Sequence, residues 1–186
     1  MPNAKTKNVK NIIFIGGVHG VGKGHICQII KSNVNIIHLT ASEVLKWKDI
    51  SKIDNKLVQD INETQDLLIV NLEKIVKKDK QYLLDGHYCL LNKNGESERV
   101  PFKTFEDLNL SKIIIVFEDS KTIKQRLEVR DGKNYNLAQI THFQNMEVSY
   151  ANEISQKLNL PLLKIQSSNY NQETQIKFIN ENTIRH

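Results

Sequence analysis

The segment Gly17-Val18-His19-Gly20-Val21-Gly22-Lys23 has the residue types needed to hold phosphate. Glycines let successive backbone N–H groups turn inward around anionic oxygens, and a helix beginning here adds the partial positive charge of its N-terminus. Lys23 would reach the β- and γ-phosphates as a mobile point charge. The spacing is G-x-x-x-x-G-K, preceded by an apolar run of strand length and followed by a helical pattern, as the mechanism requires. The expectation is an ATP cradle over Gly17 to Gly24. A glycine-rich strand-to-helix turn that binds nothing is the alternative.

The hydroxyl that usually follows the lysine is missing, because position 24 is Gly and position 25 is His. Mg²⁺ must then be held by water and a carboxylate. His25 reads either as a phosphate contact or as a solvent-facing helix residue. The second constellation is Tyr82-Leu83-Leu84-Asp85-Gly86-His87, an apolar strand ending in an acid. The carboxyl ends of parallel strands face the ligand crevice, so Asp85 would stand beside the phosphates and order Mg²⁺ through water. A turn-forming Asp-Gly is the plainer reading of the same pair. Downstream, Arg126 and Arg130 lie four apart and share a helix face, suited to phosphate oxygens or to solvent.

These residues need elements to position them, and short apolar runs alternate with helical patterns in the manner of βαβ units. The strands are expected at Ile12 to Ile15, Asn35 to Leu39, Tyr82 to Leu84, Ile113 to Phe117 and Leu162 to Ile165. Helices are expected at Gly22 to Lys31, Ser42 to Lys48, Lys56 to Lys78, Thr122 to Arg130, Leu137 to Leu158 and Gln172 to Ile184. The third carries apolar residues at spacings of three and four. Between Cys89 and Val100, Asn94-Gly95 predicts a hairpin with a type I′ turn.

Several motifs together resemble the adenylate kinase and nucleoside monophosphate kinase family. Gly24 after Lys23 resembles the family's Gly-Lys-Gly-Thr, with His25 in place of threonine. Leu83-Leu84-Asp85-Gly86 resembles Leu-Leu-Asp-Gly-Phe-Pro-Arg, although His87, Tyr88 and Cys89 replace the last three residues and remove the arginine that grips the acceptor phosphate. Leu39-Thr40-Ala41-Ser42-Glu43-Val44-Leu45-Lys46 resembles Ile-Ser-Thr-Gly-Asp-Leu-Leu-Arg, which binds the acceptor nucleotide. There Lys46 keeps the arginine's charge without its fork. The resemblance implies that Arg126 packs on the donor adenine, that Arg130 holds the transferring phosphate, and that Thr40, Glu43, Lys46, Asp85 and His87 face the acceptor. Only Asp131 to Asn136 remains for a lid, with Lys133 its cation.

What the resemblance implies for the fold is an α/β P-loop NTPase domain of three layers. Its five-stranded parallel sheet, in the order 2-3-1-4-5, is flanked by helices. One domain over residues 1–186 is expected, with an acceptor-binding segment at about 40–78 and a short lid at about 131–136. The implied activity is γ-phosphoryl transfer from ATP to a nucleoside monophosphate or similar nucleotide, with Lys23, Asp85, Arg126 and Arg130 in the catalytic roles. Two readings stay open beside it. One is a kinase for an alcohol acceptor, a nucleoside or a polynucleotide 5′-hydroxyl, with Asp85 or Glu43 as base. The other is an ATP-binding or ATPase regulatory protein.

Composition narrows the rest. With 39% apolar and 25% charged residues the chain should fold, unlike a disordered sequence. A net charge of +5 is spread along the chain, which favours a solvated surface and small polyanionic partners over a nucleic-acid patch. Cys27 and Cys89 have neither metal nor redox spacing and read as small hydrophobes in a reducing compartment. No run approaches the ~20 apolar residues of a membrane span, and a cytoplasmic protein is expected.

Overall fold

In each strand of the central sheet, alternate residues face opposite layers, and both layers are apolar. Ile13, Ile15, Leu83, Ile114 and Val116 pack on one side, while Phe14, Leu84, Ile113 and Ile115 pack on the other. A computed structural model describes residues 11–45 and 60–181. Its sheet strands are β1 (Ile12–Gly16), β2 (Ile37–Thr40), β3 (Tyr82–Asp85), β6 (Leu110–Phe117) and β7 (Leu162–Gln166). The hairpin β4 (Cys89–Leu91) and β5 (Ser97–Arg99) lies between β3 and β6 in the chain. Helices are α1 (Lys23–Asn33), α2 (Ala41–Val44), α3 (Ile61–Ile75), α4 (Phe102–Asp107), α5 (Ser120–Asp131), α6 (Leu137–Leu158) and α7 (Gln172–Asn180).

All five sheet strands are parallel, in the order β2-β3-β1-β6-β7. The expected order 2-3-1-4-5 is therefore written 2-3-1-6-7, because the hairpin adds two strands to the count. Register carries the functional consequence. Thr40 pairs with Asp85 and Asp85 with Ile15, so three strands end side by side where β1 turns toward α1.

The hairpin forms, but its turn differs from the expected one. A type I′ turn needs positive φ at both central residues, whereas here Gly95 has φ 77° and Asn94 is not among the positive-φ residues. Gly95 N donates to Asn92 O at 2.8 Å and Asn92 N to Glu96 O at 2.9 Å, the pattern of a type I turn closed by a glycine bulge. The Asn92 side chain selects it by accepting from Asn94 N and Glu96 N.

Helix ends also shift. The expected Lys56 to Lys78 helix runs Ile61–Ile75, capped by Asp60, which accepts from Glu63 N at 3.0 Å; Lys56 and Leu57 lie outside the described residues. So do Lys46 to Lys48 of the second helix and Asn182 to Ile184 of the last. Short α4 was not expected, since six residues leave no periodicity to read. Asp131 is the last residue of α5, and Gly132, at φ 66°, ends that helix.

Strand β6 begins three residues before Ile113, across a bulge at Ser111 whose hydroxyl donates to Ile12 O. The bulge turns Lys112 inward. It is 4% exposed, and its ammonium donates to the carbonyls of Phe178, Ile179 and Glu181 at the end of α7. A cation at a helix C-terminus satisfies carbonyls that lack helical partners. Replacing Lys112 with Met is expected to cost about 2–4 kcal/mol, since three carbonyls lose one charged donor. Urea unfolding measures this, and an unchanged midpoint would show that α7 closes without it.

Candidate functional site

The cradle is built at the carboxyl end of β1. Gly20 and Gly22 have φ of 78° and 99°, a left-handed conformation that side chains resist. At Gly20 a Cβ would also stand 2.7 Å from Leu127. Val18 and Val21 anchor the turn by burying their side chains in the layer beneath α1, while Gly17 closes against β6. Gly22 caps α1 without a side chain and the first turn holds no acid, so the amides of Lys23 and Gly24, which have no helical acceptor, remain for an anion, while His25 N already donates to Gly22 O. Among the described residues, nothing packs within 4 Å of a Cβ placed at Gly24.

Lys23 and Asp85 form an ion pair, with both side chains 13% exposed. Burial pushes the Asp85 carboxyl up, but the neighbouring His38 and the Lys23 ammonium outweigh it and hold the group at about 2. Asp85 is thus ionised at neutral pH. It is also the carboxylate next to Lys23 and, with no hydroxyl at position 24, the residue that would hold Mg²⁺ through water, since one carboxylate plus water suits that ion.

Arg126 joins the cradle directly. Its Nη1 donates to Val21 O and to Ser167 Oγ, each at 3.0 Å, and Nη2 lies 3.7 Å from Glu118. Glu118 is 3% exposed, and burial raises its carboxyl, yet hydrogen bonds from Asp119 N, Ser167 Oγ and Gln166 Nε2 bring it down to about 2. Gln144 of α6 exchanges hydrogen bonds with both backbone groups of Glu118. Arg130 is not brought to the cradle. It pairs through Nε and Nη2 with Asp131, which also accepts from Tyr135. His25 turns the other way as well, 3.4 Å from the Tyr170 hydroxyl.

Beside the cradle is a cavity of about 380 Å³. Phe14, Leu45, Leu68, Val100, Phe105 and Leu108 make its apolar walls, and Lys23, Thr40, Ser42, Asp85, His19 and His87 its polar side. Of the residues expected to face the acceptor, Thr40, Asp85 and His87 line this cavity, and Ser42 lines it as well. Glu43 instead closes a capping box with Thr40, accepting from its N and its Oγ1. Lys46 is outside the described residues. A further cavity of about 320 Å³, at the opposite end of β1 near Asn11 and Lys78, shares only Leu108 with the first among its lining residues.

His87 is held in a way the sequence did not disclose. Its Nδ1 lies 3.4 Å from Glu147 of α6, and its ring packs 4.6 Å from that of His19 in the cradle. Glu147 is fully buried and accepts from Tyr88 N at 3.1 Å and Cys89 N at 3.2 Å. The only available signal was an acid on the apolar face that also bears Tyr150, Ala151 and Ile154. For Glu118 the signal was an acid directly after a strand, the same sign that identified Asp85.

Burial lifts the Glu147 carboxyl from 4.5 to about 7, the two backbone donors offsetting part of the rise. The folded protein therefore holds this proton more tightly than the unfolded chain. The contribution is complete below about pH 4.5 and is lost as pH rises toward 7, by up to about 3 kcal/mol. Glu147→Gln is expected to flatten stability against pH across that window. Urea midpoints at several pH values check this, and an unchanged slope would assign the dependence to another group.

The comparisons agree with this architecture. A putative kinase from Chloroflexus aurantiacus superposes with a TM-score of 0.59 at 10% identity, covering 92% of this chain and 97% of that one. A gluconokinase from Sinorhizobium meliloti gives 0.54 at 8% identity, covering 94% and 91%. The tunicamycin resistance protein of Deinococcus radiodurans gives 0.55 at 16% identity, covering 91% and 93%. No curated protein sequence matches. The fold is thus that of P-loop kinases in general, and the narrower adenylate kinase likeness rests on the sequence motifs alone. Residues 16–144 match the family described as AAA domain, from β1 through the cradle and Asp85 to Gln144. The chain belongs to that AAA domain family.

Proposed function

We propose that this protein transfers the γ-phosphoryl group of ATP to a hydroxyl of a small molecule held in the 380 Å³ cavity. The observation that carries the reading is the placement of Asp85, which touches Lys23 of the donor cradle and lines the acceptor cavity. ATP phosphates would draw the Lys23 ammonium away from Asp85, because they offer more charge and several oxygens. The freed carboxylate then faces the acceptor. The acceptor oxygen bonds to the γ-phosphorus, the bond to the β-phosphate oxygen breaks, and the hydroxyl proton passes to Asp85 and on to solvent. Mg²⁺ would neutralise charge on the β- and γ-oxygens when bound. Arg126 keeps Val21 and the turn in shape, and Arg130 would join only after leaving Asp131.

A nucleoside monophosphate or similar nucleotide is the second reading, supported by Thr40 and Ser42 on the cavity wall. It asks for cations on the acceptor phosphate. Among the described residues lining the cavity, Lys23 is the one lysine or arginine, and the donor uses it. Incubation with γ-labelled ATP and separate nucleosides, sugars, 5′-hydroxyl oligonucleotides and nucleoside monophosphates decides between them. A labelled phosphomonoester on a hydroxyl acceptor is expected. Label moving only to monophosphates would select the second reading, and release as inorganic phosphate alone would remove both in favour of a regulatory ATPase.

A further inference from the structure

We infer that Cys27, His38 and Asp85 form a binding site for a divalent transition metal of the zinc class. The three come from α1, β2 and β3. Asp85 lies two residues beyond Leu83, and His38 pairs with Leu83, so both share the sheet face on which α1 packs. Cys27 is one helical turn beyond Lys23 and looks onto that face. Asp85 Oδ2 is 3.8 Å from Cys27 Sγ and 3.7 Å from His38 Nε2, and the donor atoms all lie within 4.8 Å of one another.

Those separations suit a tetrahedral ion. Zinc bond lengths of ~2.0–2.3 Å place neighbouring donors roughly 3.3–3.7 Å apart, so closure by about 1 Å or less completes the set. Lys23 occupies Asp85 Oδ1, which leaves Oδ2 as the metal-facing oxygen. His38 Nε2 is the second sign. Among the described residues it is closed to solvent and makes no hydrogen bond, facing Asp85 Oδ2 at 3.7 Å, a separation that a metal bound between the two would bridge.

The thiolate, imidazole and carboxylate donors select a zinc-class ion over Mg²⁺, which prefers six oxygens. Three protein ligands leave the fourth position to water. On binding, the Cys27 S–H bond is replaced by a sulfur–metal bond and its proton leaves to solvent. The site shares Asp85 with the proposed transfer, and metal binding is read without nucleotide or acceptor, so either reading can fail alone.

Cobalt(II) serves as the probe, because thiolate ligation and tetrahedral geometry each give it a distinct absorption. Untagged full-length protein, stripped of metal and free of nucleotide, is titrated with Co²⁺. A thiolate-to-cobalt charge-transfer band and strong visible bands should saturate at one equivalent, vanish on addition of Zn²⁺, and persist in excess Mg²⁺. Cys27→Ser should remove the charge-transfer band, whereas Cys89→Ser should keep it. His38→Ala should weaken binding by more than the roughly 10–100-fold that an outer-shell loss costs. Circular dichroism confirms that each variant is folded, and the alanine variant at the same position, Cys27→Ala or Cys89→Ala, replaces a serine variant that is not. Absence of the band from the wild type, or its survival without Cys27, would overturn the assignment.

Discussion

Lys23→Ala is expected to lower phosphoryl transfer by roughly 100–1000-fold or more, the scale at which one preorganised charge stabilises a transferring group. The ammonium has two states in this account. Without nucleotide it rests on Asp85, and with nucleotide it moves to the phosphates. Its removal therefore harms transfer directly and also leaves Asp85 without its cation inside a cavity. The second effect can be separated, because Lys23→Ala combined with Asp85→Asn takes away the unpaired charge. The double variant should regain stability but not transfer, which thermal melting and single-turnover rates read independently. Full transfer by Lys23→Ala would show that the glycine turn is not the donor site.

Asp85→Asn is expected to reduce turnover about 100- to 10,000-fold, the range for a lost proton acceptor, while ATP affinity changes far less. Asparagine preserves the shape and one acceptor for Lys23, so the cradle should stay assembled. The split between turnover and ATP affinity is the informative quantity. A loss confined to ATP affinity would make Asp85 a structural partner of Lys23, and equal losses in both would place it in the donor site alone.

Much of this site was legible in the sequence because backbone chemistry restricts it. Positive φ at Gly20 and Gly22 demands glycine, and the apolar parity of β1 and β3 carries the chain to the same edge. Asp85 followed from its place at a strand end. Other residues obey longer-range rules. Glu147 reaches the loop at His87 from a helix that follows much later in the chain, and no local pattern announces that contact. Cys27 and His38 read as ordinary residues until the sheet register brings their side chains together.

The hairpin turn departs from expectation, and Arg130 lies apart from the cradle, each for a physical reason. Arg126 and Arg130 share a helix face, but a spacing of four residues moves the second about 6 Å along the axis. One turn separates an arginine that reaches Val21 from one that pairs with Asp131. Asn94-Gly95 suited a type I′ turn equally well by composition. The choice went to a glycine bulge because Asn92, just outside that pair, satisfies two amides of the loop with one side-chain oxygen.

ATP is expected to lose its γ-phosphoryl group to an acceptor and not to water. Phosphorus NMR of the wild-type protein with Mg-ATP and its best acceptor tests this most directly. ADP and a new phosphoester resonance are expected to grow in equal amounts, both absent with Lys23→Ala. ADP appearing with an equal amount of inorganic phosphate and no phosphoester would contradict it.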